Sequence, residues 1–147
     1  MCCAVAFSFD FNLCEMQDKP RNTFPKAEHL FGKTATENLF ARGTAFIAYP
    51  VRVVFIAVPK EKDSDVPARL MVSAPKKRFK HAVDRNRLKR LMREAYRINK
   101  APLFAALEGK EYQLHFSFNY VADKVEDFRF VEKKVRVALD KLIKKLP

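Results

Sequence analysis

One stretch of this chain gathers cations as no other does. Lys76, Lys77, Arg78, Lys80, Arg85, Arg87, Lys89, Arg90, Arg93 and Arg97 place 10 of the 29 lysines and arginines within 22 residues. Only Asp84 and Glu94 oppose them, so the stretch holds +8 of the net +12. Charge packed that densely repels itself unless a polyanion neutralises it, and release of the polyanion's counterions then supplies affinity. The chemistry on offer is binding of nucleic acid. No carboxylate cluster or His/Asp constellation accompanies it that would hold a metal or move a proton. Cys2, Cys3 and Cys14 are odd in number and far in sequence from His29, His81 and His115, which argues against a disulfide framework or zinc site.

Helical periodicity sorts this stretch into two faces. At about 100° per residue, Leu88, Leu91, Met92, Ala95 and Tyr96 fall together and form a core-facing side. Asn86, Lys89, Arg90, Arg93 and Arg97 cluster roughly 150° away, with Arg85 on the boundary and Arg87 near Glu94 on the far flank. An ordinary solvated helix intersperses both signs of charge, whereas this face is nearly single-signed. Arginine's planar fork suits phosphate, and an asparagine among the arginines can reach a base edge or a ribose hydroxyl. A helix of this kind cannot enter the deep, narrow major groove of A-form RNA. Contacts to RNA would therefore run to phosphates and 2′-hydroxyls and read shape more than sequence.

The remaining elements must hold that helix in place. At 147 residues, with 48 % hydrophobic residues and 14 Phe, the chain is long enough for one domain with a real core. Residues 1–22 show no period and carry a net charge of −1; they read as a loosely ordered extension, or as residues ahead of a start at Met16. The domain then spans 23–147. A short helical turn falls around Lys26 to Phe31, and Thr34-Ala35-Thr36-Glu37 matches a capping box for a helix ending at Arg42, with Gly43 at the C-terminal cap. Pro50 divides the β-branched run from Ala45 to Val58 into two strands. Further strands are expected at Ala68 to Ala74 and at Tyr112 to Tyr120, the latter with one core face and one polar face. The basic helix should run from about Lys80 to Asn99 and stop before Pro102, and an apolar stripe from Phe128 to Leu146 closes the chain as a helix. This order describes an α+β sandwich, helices on an open sheet. No window reaches the roughly 18 apolar residues of a spanning helix, and the first residues lack the features of a signal peptide, so the expected location is cytoplasmic.

The run from Ala82 to Arg97, AVDRNRLKRLMREAYR, resembles the RNR motif of the protein subunit of bacterial ribonuclease P. Val72-Ser73-Ala74-Pro75-Lys76-Lys77 before it fits the same family, as does Leu39-Phe40-Ala41-Arg42-Gly43, which resembles the end of the family's first helix. The likeness covers about residues 24 to 146. It implies a single-domain αβββαβα fold with a left-handed βαβ crossover, shared with a ribosomal-protein domain. It also implies two partners, a catalytic RNA and precursor tRNA, in an enzyme that removes the 5′ leader, with no membrane and no obligate protein partner. In that family the RNA holds the Mg²⁺ ions that activate water, and the protein supplies no catalytic group and no cofactor of its own. By this resemblance Arg85, Asn86, Arg87, Lys89, Arg90 and Arg93 match the motif facing the RNA, joined by Lys76 and Lys77 of the basic turn and by Arg97 on the same helix. Phe40 matches a position in the cleft that takes the single-stranded leader. Arg52 and Val54 lie on the strand beside it, Val54 where many members have tyrosine and Thr36 where many have an aromatic. Arg78-Phe79 replaces a glycine common after the lysines.

Two other readings fit a basic α+β domain. One is a ribosomal or ribosome-associated RNA-binding protein of similar fold. The other is a DNA-binding module with the basic helix in the major groove, disfavoured because the arginines run the whole helix and no turn-helix scaffold precedes it.

Overall fold

Alternation and a proline set the first hairpin. β1 (Thr44–Ala48) and β2 (Val51–Pro59) flank Tyr49-Pro50 and pair antiparallel, with Phe46 opposite Val53 and Ile47 opposite Arg52. The computed structural model describes residues 23–147. Strand β4 (Tyr112–Tyr120) pairs antiparallel with β2 and parallel with β3 (Ala68–Ser73), giving the sheet order β1-β2-β4-β3. A parallel pair cannot be joined by a tight turn. The crossover from β3 to β4 is made by α2 (Ala82–Asn99) and α3 (Ala101–Leu107).

Period two along the strands divides the sheet into two differently covered faces. Val53, Phe55, Leu70, Phe116 and Phe118 meet α2 and α4 (Phe128–Lys145) in the main core, where Leu88, Met92, Ala95 and Tyr96 face Val131, Val135, Ala138 and Leu142. Tyr96, Phe116 and Phe118 contact one another edge-on, with centroids 5.4–6.3 Å apart. Each fully buried ring contributes about 1.5–3 kcal/mol of burial free energy. On the opposite face α1 (Lys33–Arg42) seals a smaller cluster of Leu30, Leu39 and Val54. The family-implied order of elements and the α+β class agree with this architecture.

Two local expectations need correction, the capping box and the polar face of β4, while those for Gly43 and Pro102 hold and gain detail. The capping box does not form, because α1 begins at Lys33, ahead of the start that a Thr34 cap requires. Gly32, at φ +99°, is the N-cap, and the Thr36 hydroxyl, not Thr34, donates back to the Gly32 carbonyl at 2.9 Å. Gly43 does cap the C-terminus, its N–H donating to Leu39 O at 2.9 Å, but in extended conformation. It is needed for room: a Cβ there would lie 2.2 Å from Leu39 O and 2.8 Å from Val54 Cγ1. Pro102 does more than end a helix. Lacking an N–H, it fits the first turn of α3, which starts directly after Lys100. The polar face of β4 is not open to water either, since Gln113, His115 and Ser117 are buried. β4 is a central strand, and the Gln113 amide donates to Ser64 Oγ at 2.8 Å and Val66 O at 2.6 Å in the loop after β2. The N-terminal extension and its three cysteines lie outside the described residues.

Candidate nucleic-acid interface

The basic helix is fixed at both ends by packing. Pro75 turns the chain out of β3, and its carbonyl accepts the N–H groups of Arg78 and Phe79. The departure at Arg78-Phe79 is thereby explained: Phe79 is buried against Tyr120, ring centroids 5.8 Å apart, and Arg78 pairs with Asp123 at 2.7 Å and with the Val121 carbonyl. At the far end Lys100 is buried beside Glu28. Asp84 in the first turn and Arg97 in the last complement the helix dipole.

Leu88, Met92, Ala95 and Tyr96 are buried as the periodicity predicts, and Leu91 is half-buried. Asn86, Arg87 and Arg90 are exposed on the other side, while Lys89 and Arg93 are half-buried, with room for their stems to lie on the protein and their charges to reach solvent. Among the described residues no carboxylate lies within 4.0 Å of Arg87, Lys89, Arg90 or Arg93, nor of Lys76 and Lys77 in the exposed turn. Such a row of uncompensated cations on a rigid helix is an electrostatic footprint for a polyanion. Two predicted members are already engaged within the protein. Arg97 pairs with Glu94, Nε to Oε2 at 2.9 Å, and Arg85 Nη1 donates to the carbonyls of Phe79 and Lys80, each at 2.8 Å. Arg93 also acts on a residue outside the helix: burial first, then the Arg93 charge, hold the His29 imidazole below its usual pKa.

A second surface lies on the face of the sheet under α1. Strand register places Ala45, Val54, Ser117 and Met71 in one row, and Ile47, Arg52, Asn119 and Ser73 in the next. Helix α1 covers the first row, with Leu39 packed on Val54 and Thr36 Oγ1 3.9 Å from Met71 Sδ. The second row is open, with Ile47 and Arg52 exposed and Asn119 and Ser73 half-exposed. Phe40, 50 % exposed, stands on α1 outside the core, its neighbour Leu39 having taken the buried position. Val54 is buried at 3 %, so the position expected to contact a leader is a packing residue beneath α1. Sequence alone does not single out Ile47, Asn119 and Ser73, because their alignment depends on which strands pair. Ser73 leads within three residues into Lys76 and Lys77, so the open row and the basic turn are neighbours along the chain.

The family model for ribonuclease P matches residues 24–143, spanning both surfaces. The chain belongs to the ribonuclease P protein family. It is 36 % identical over 132 residues to the ribonuclease P protein component of Porphyromonas gingivalis strain W83, covering 90 % of this chain and 95 % of that one. Against the ribonuclease P protein component of Chlorobaculum tepidum it is 34 % identical over 135 residues, covering 87 % and 88 %. The Staphylococcus aureus RNase P protein has the same fold. Its structure superposes with a TM-score of 0.54 at 19 % identity, covering 81 % of this chain and 94 % of that one. A mutant of that protein gives 0.61 at 18 % identity, covering 80 % and 89 %. Among the described residues of this ribonuclease P family member, no helix is long and apolar enough to cross a membrane.

Proposed function

We propose that this chain binds the catalytic RNA of ribonuclease P through the exposed side of α2 and the Lys76-Lys77 turn, and guides the 5′ leader of precursor tRNA along the open sheet row beside Phe40. The observation that carries the reading is the row formed by Arg87, Lys89, Arg90 and Arg93, uncompensated by carboxylates and lying within the family's signature motif. Phosphates of folded RNA would replace the missing counter-charges, and Asn86 among them can meet a 2′-hydroxyl or a base edge. Arg85 and Arg97 serve mainly to shape the helix ends. On the sheet, Arg52 meets leader phosphate, while Phe40 and Ile47 offer apolar surface to unpaired bases.

In this reading cleavage belongs to the RNA. Among the described residues no group of three or more His, Cys, Asp or Glu side chains comes together. Mg²⁺ ions held by the RNA would supply the activation of water, and the protein's share is charge neutralisation and positioning. The setting is the cytoplasm, where precursor tRNA is made.

Copurification of the tagged full chain from its host, followed by sequencing of bound RNA, tests the reading. Enrichment of the ribonuclease P RNA and of precursors with 5′ leaders is expected. Enrichment of ribosomal RNA alone would transfer the chain to the ribosome-associated reading.

A further inference from the structure

Four rings form a column that starts in the core and ends in solvent. Tyr96 of α2 meets Phe24 edge-on at 5.4 Å, Phe24 meets His29 at 4.1 Å, and His29 stacks on Phe31 at 5.6 Å with planes 22° apart. The outermost ring, Phe31, is 61 % exposed. The segment that carries this open ring is anchored on both sides. Leu30, immediately before it, is buried and donates its N–H to Leu70 O at 3.0 Å, and His29 bridges Leu70 in parallel, so the segment rides the edge of β3. Upstream, Glu28 is clamped by the Lys100 ammonium at 2.7 and 2.9 Å. Downstream, Gly32 turns the chain away at φ +99°, and a Cβ there would meet nothing within 4 Å. Toward α2, burial first and then the Arg93 charge hold the His29 imidazole below its usual pKa.

We infer that Phe31 is a stacking platform for one unpaired nucleobase of the RNA that lies along α2. The inference rests on the proposed RNA-binding reading and adds a site to it. A base has a π-face whatever its identity, so a rigid exposed ring accepts any of the four by stacking. The adjacent arginine face supplies what holds the flanking phosphates. His29 backs the platform from behind, and the base would become the fifth ring of the column.

The chain has no tryptophan, so Phe31→Trp in the full chain gives a single reporter at the site. Titration with the cognate ribonuclease P RNA should quench that emission while affinity, followed separately by filter binding, stays near wild type. Phe31→Ala and Phe31→Leu should each weaken binding by about tenfold, with the salt slope unchanged because no phosphate contact is lost. Salt-dependent binding with unaltered tryptophan emission, and with Phe31→Ala as tight as wild type, would overturn the platform and leave the arginine face standing. If the wild-type chain binds no RNA, both fall together. Tryptophan emission that is already apolar in the RNA-free Phe31→Trp chain and turns polar on removal of residues 1–22 would assign the ring to the chain's own N-terminal segment, and would also overturn the proposal.

Discussion

Glu28 and Lys100, 72 positions apart, form a buried ion pair in which the ammonium lies 2.7 and 2.9 Å from the two carboxylate oxygens, with side chains 7 % and 6 % exposed. The pair ties the segment before α1 to the point where α2 gives way to α3. The Lys100 ammonium also donates to the Thr23 carbonyl and lies 5.0 Å from the Phe104 ring centre.

Removing one member strands the other's charge in the interior. Lys100→Met or Glu28→Leu should each destabilise the fold by about 3–5 kcal/mol, whereas the double change Glu28→Leu with Lys100→Met should recover most of the loss. Urea denaturation of the three variants measures this. Additive losses would show that the two groups do not act as a pair.

On the arginine face, Arg90→Ala with Arg93→Ala should flatten the plot of log affinity against log salt by about 1.5 units, since each phosphate contact contributes somewhat under one. Both side chains are outside the buried stripe of α2, so thermal stability should move little. An unchanged slope would remove these two residues from the interface.

Gly43 needs its missing side chain for space. Gly43→Ala drives a methyl toward Leu39 O and Val54 Cγ1, positions 2.2 and 2.8 Å from the added atom, and should cost about 1–3 kcal/mol through a shift of α1 off the sheet. A urea midpoint equal to wild type would show that α1 moves freely on its bed.

His115 gives stability a pH dependence. Burial first, and then the Arg69 charge, hold its pKa below the ordinary 6.5 against a smaller opposing effect of Glu61. The Gln113 amide nitrogen is spent on Ser64 and Val66, so Gln113 Oε1 accepts from neutral His115 Nε2–H at 3.0 Å. As pH falls through 6.5 the unfolded chain takes up this proton before the folded one, so stability is full above that value and declines below it. His29 shifts in the same direction and adds to the decline. Between about pH 7 and pH 5.5, a window that brackets the ordinary histidine value, His115→Gln should show a shallower loss of urea midpoint than wild type, and His29→Gln with His115→Gln nearly none. Parallel curves for all three would refute a buried neutral His115.

Elements whose faces repeat along the chain are legible from sequence. The stripe Leu88, Met92, Ala95 and Tyr96 marks α2, the alternation from Tyr112 to Tyr120 bounds β4 to the residue, and Val131, Val135 and Leu142 mark α4. What depends on a partner distant in sequence is not. The burial of Gln113 and His115 follows from β4 lying between β2 and β3, and the open row Ile47–Arg52–Asn119–Ser73 exists only once the strands are in register. Thr34 misleads because a capping motif is a local preference, whereas the start of α1 is set by Gly32 and by Leu30 anchored to β3. At the candidate interface, sequence places the cations on one face but cannot tell that Glu94 and the Phe79 and Lys80 carbonyls occupy Arg97 and Arg85.

The central claim is that the cationic side of α2 assists an RNA that does the cutting. Its most direct test is precursor-tRNA cleavage by the cognate ribonuclease P RNA at low magnesium, with the wild-type chain, with the Arg90→Ala, Arg93→Ala variant, and with protein alone. The account predicts leader removal restored by wild type, restored only at higher concentration by the variant, and absent with protein alone. Equal cleavage with and without the protein, or cleavage by the protein unaided, would contradict it.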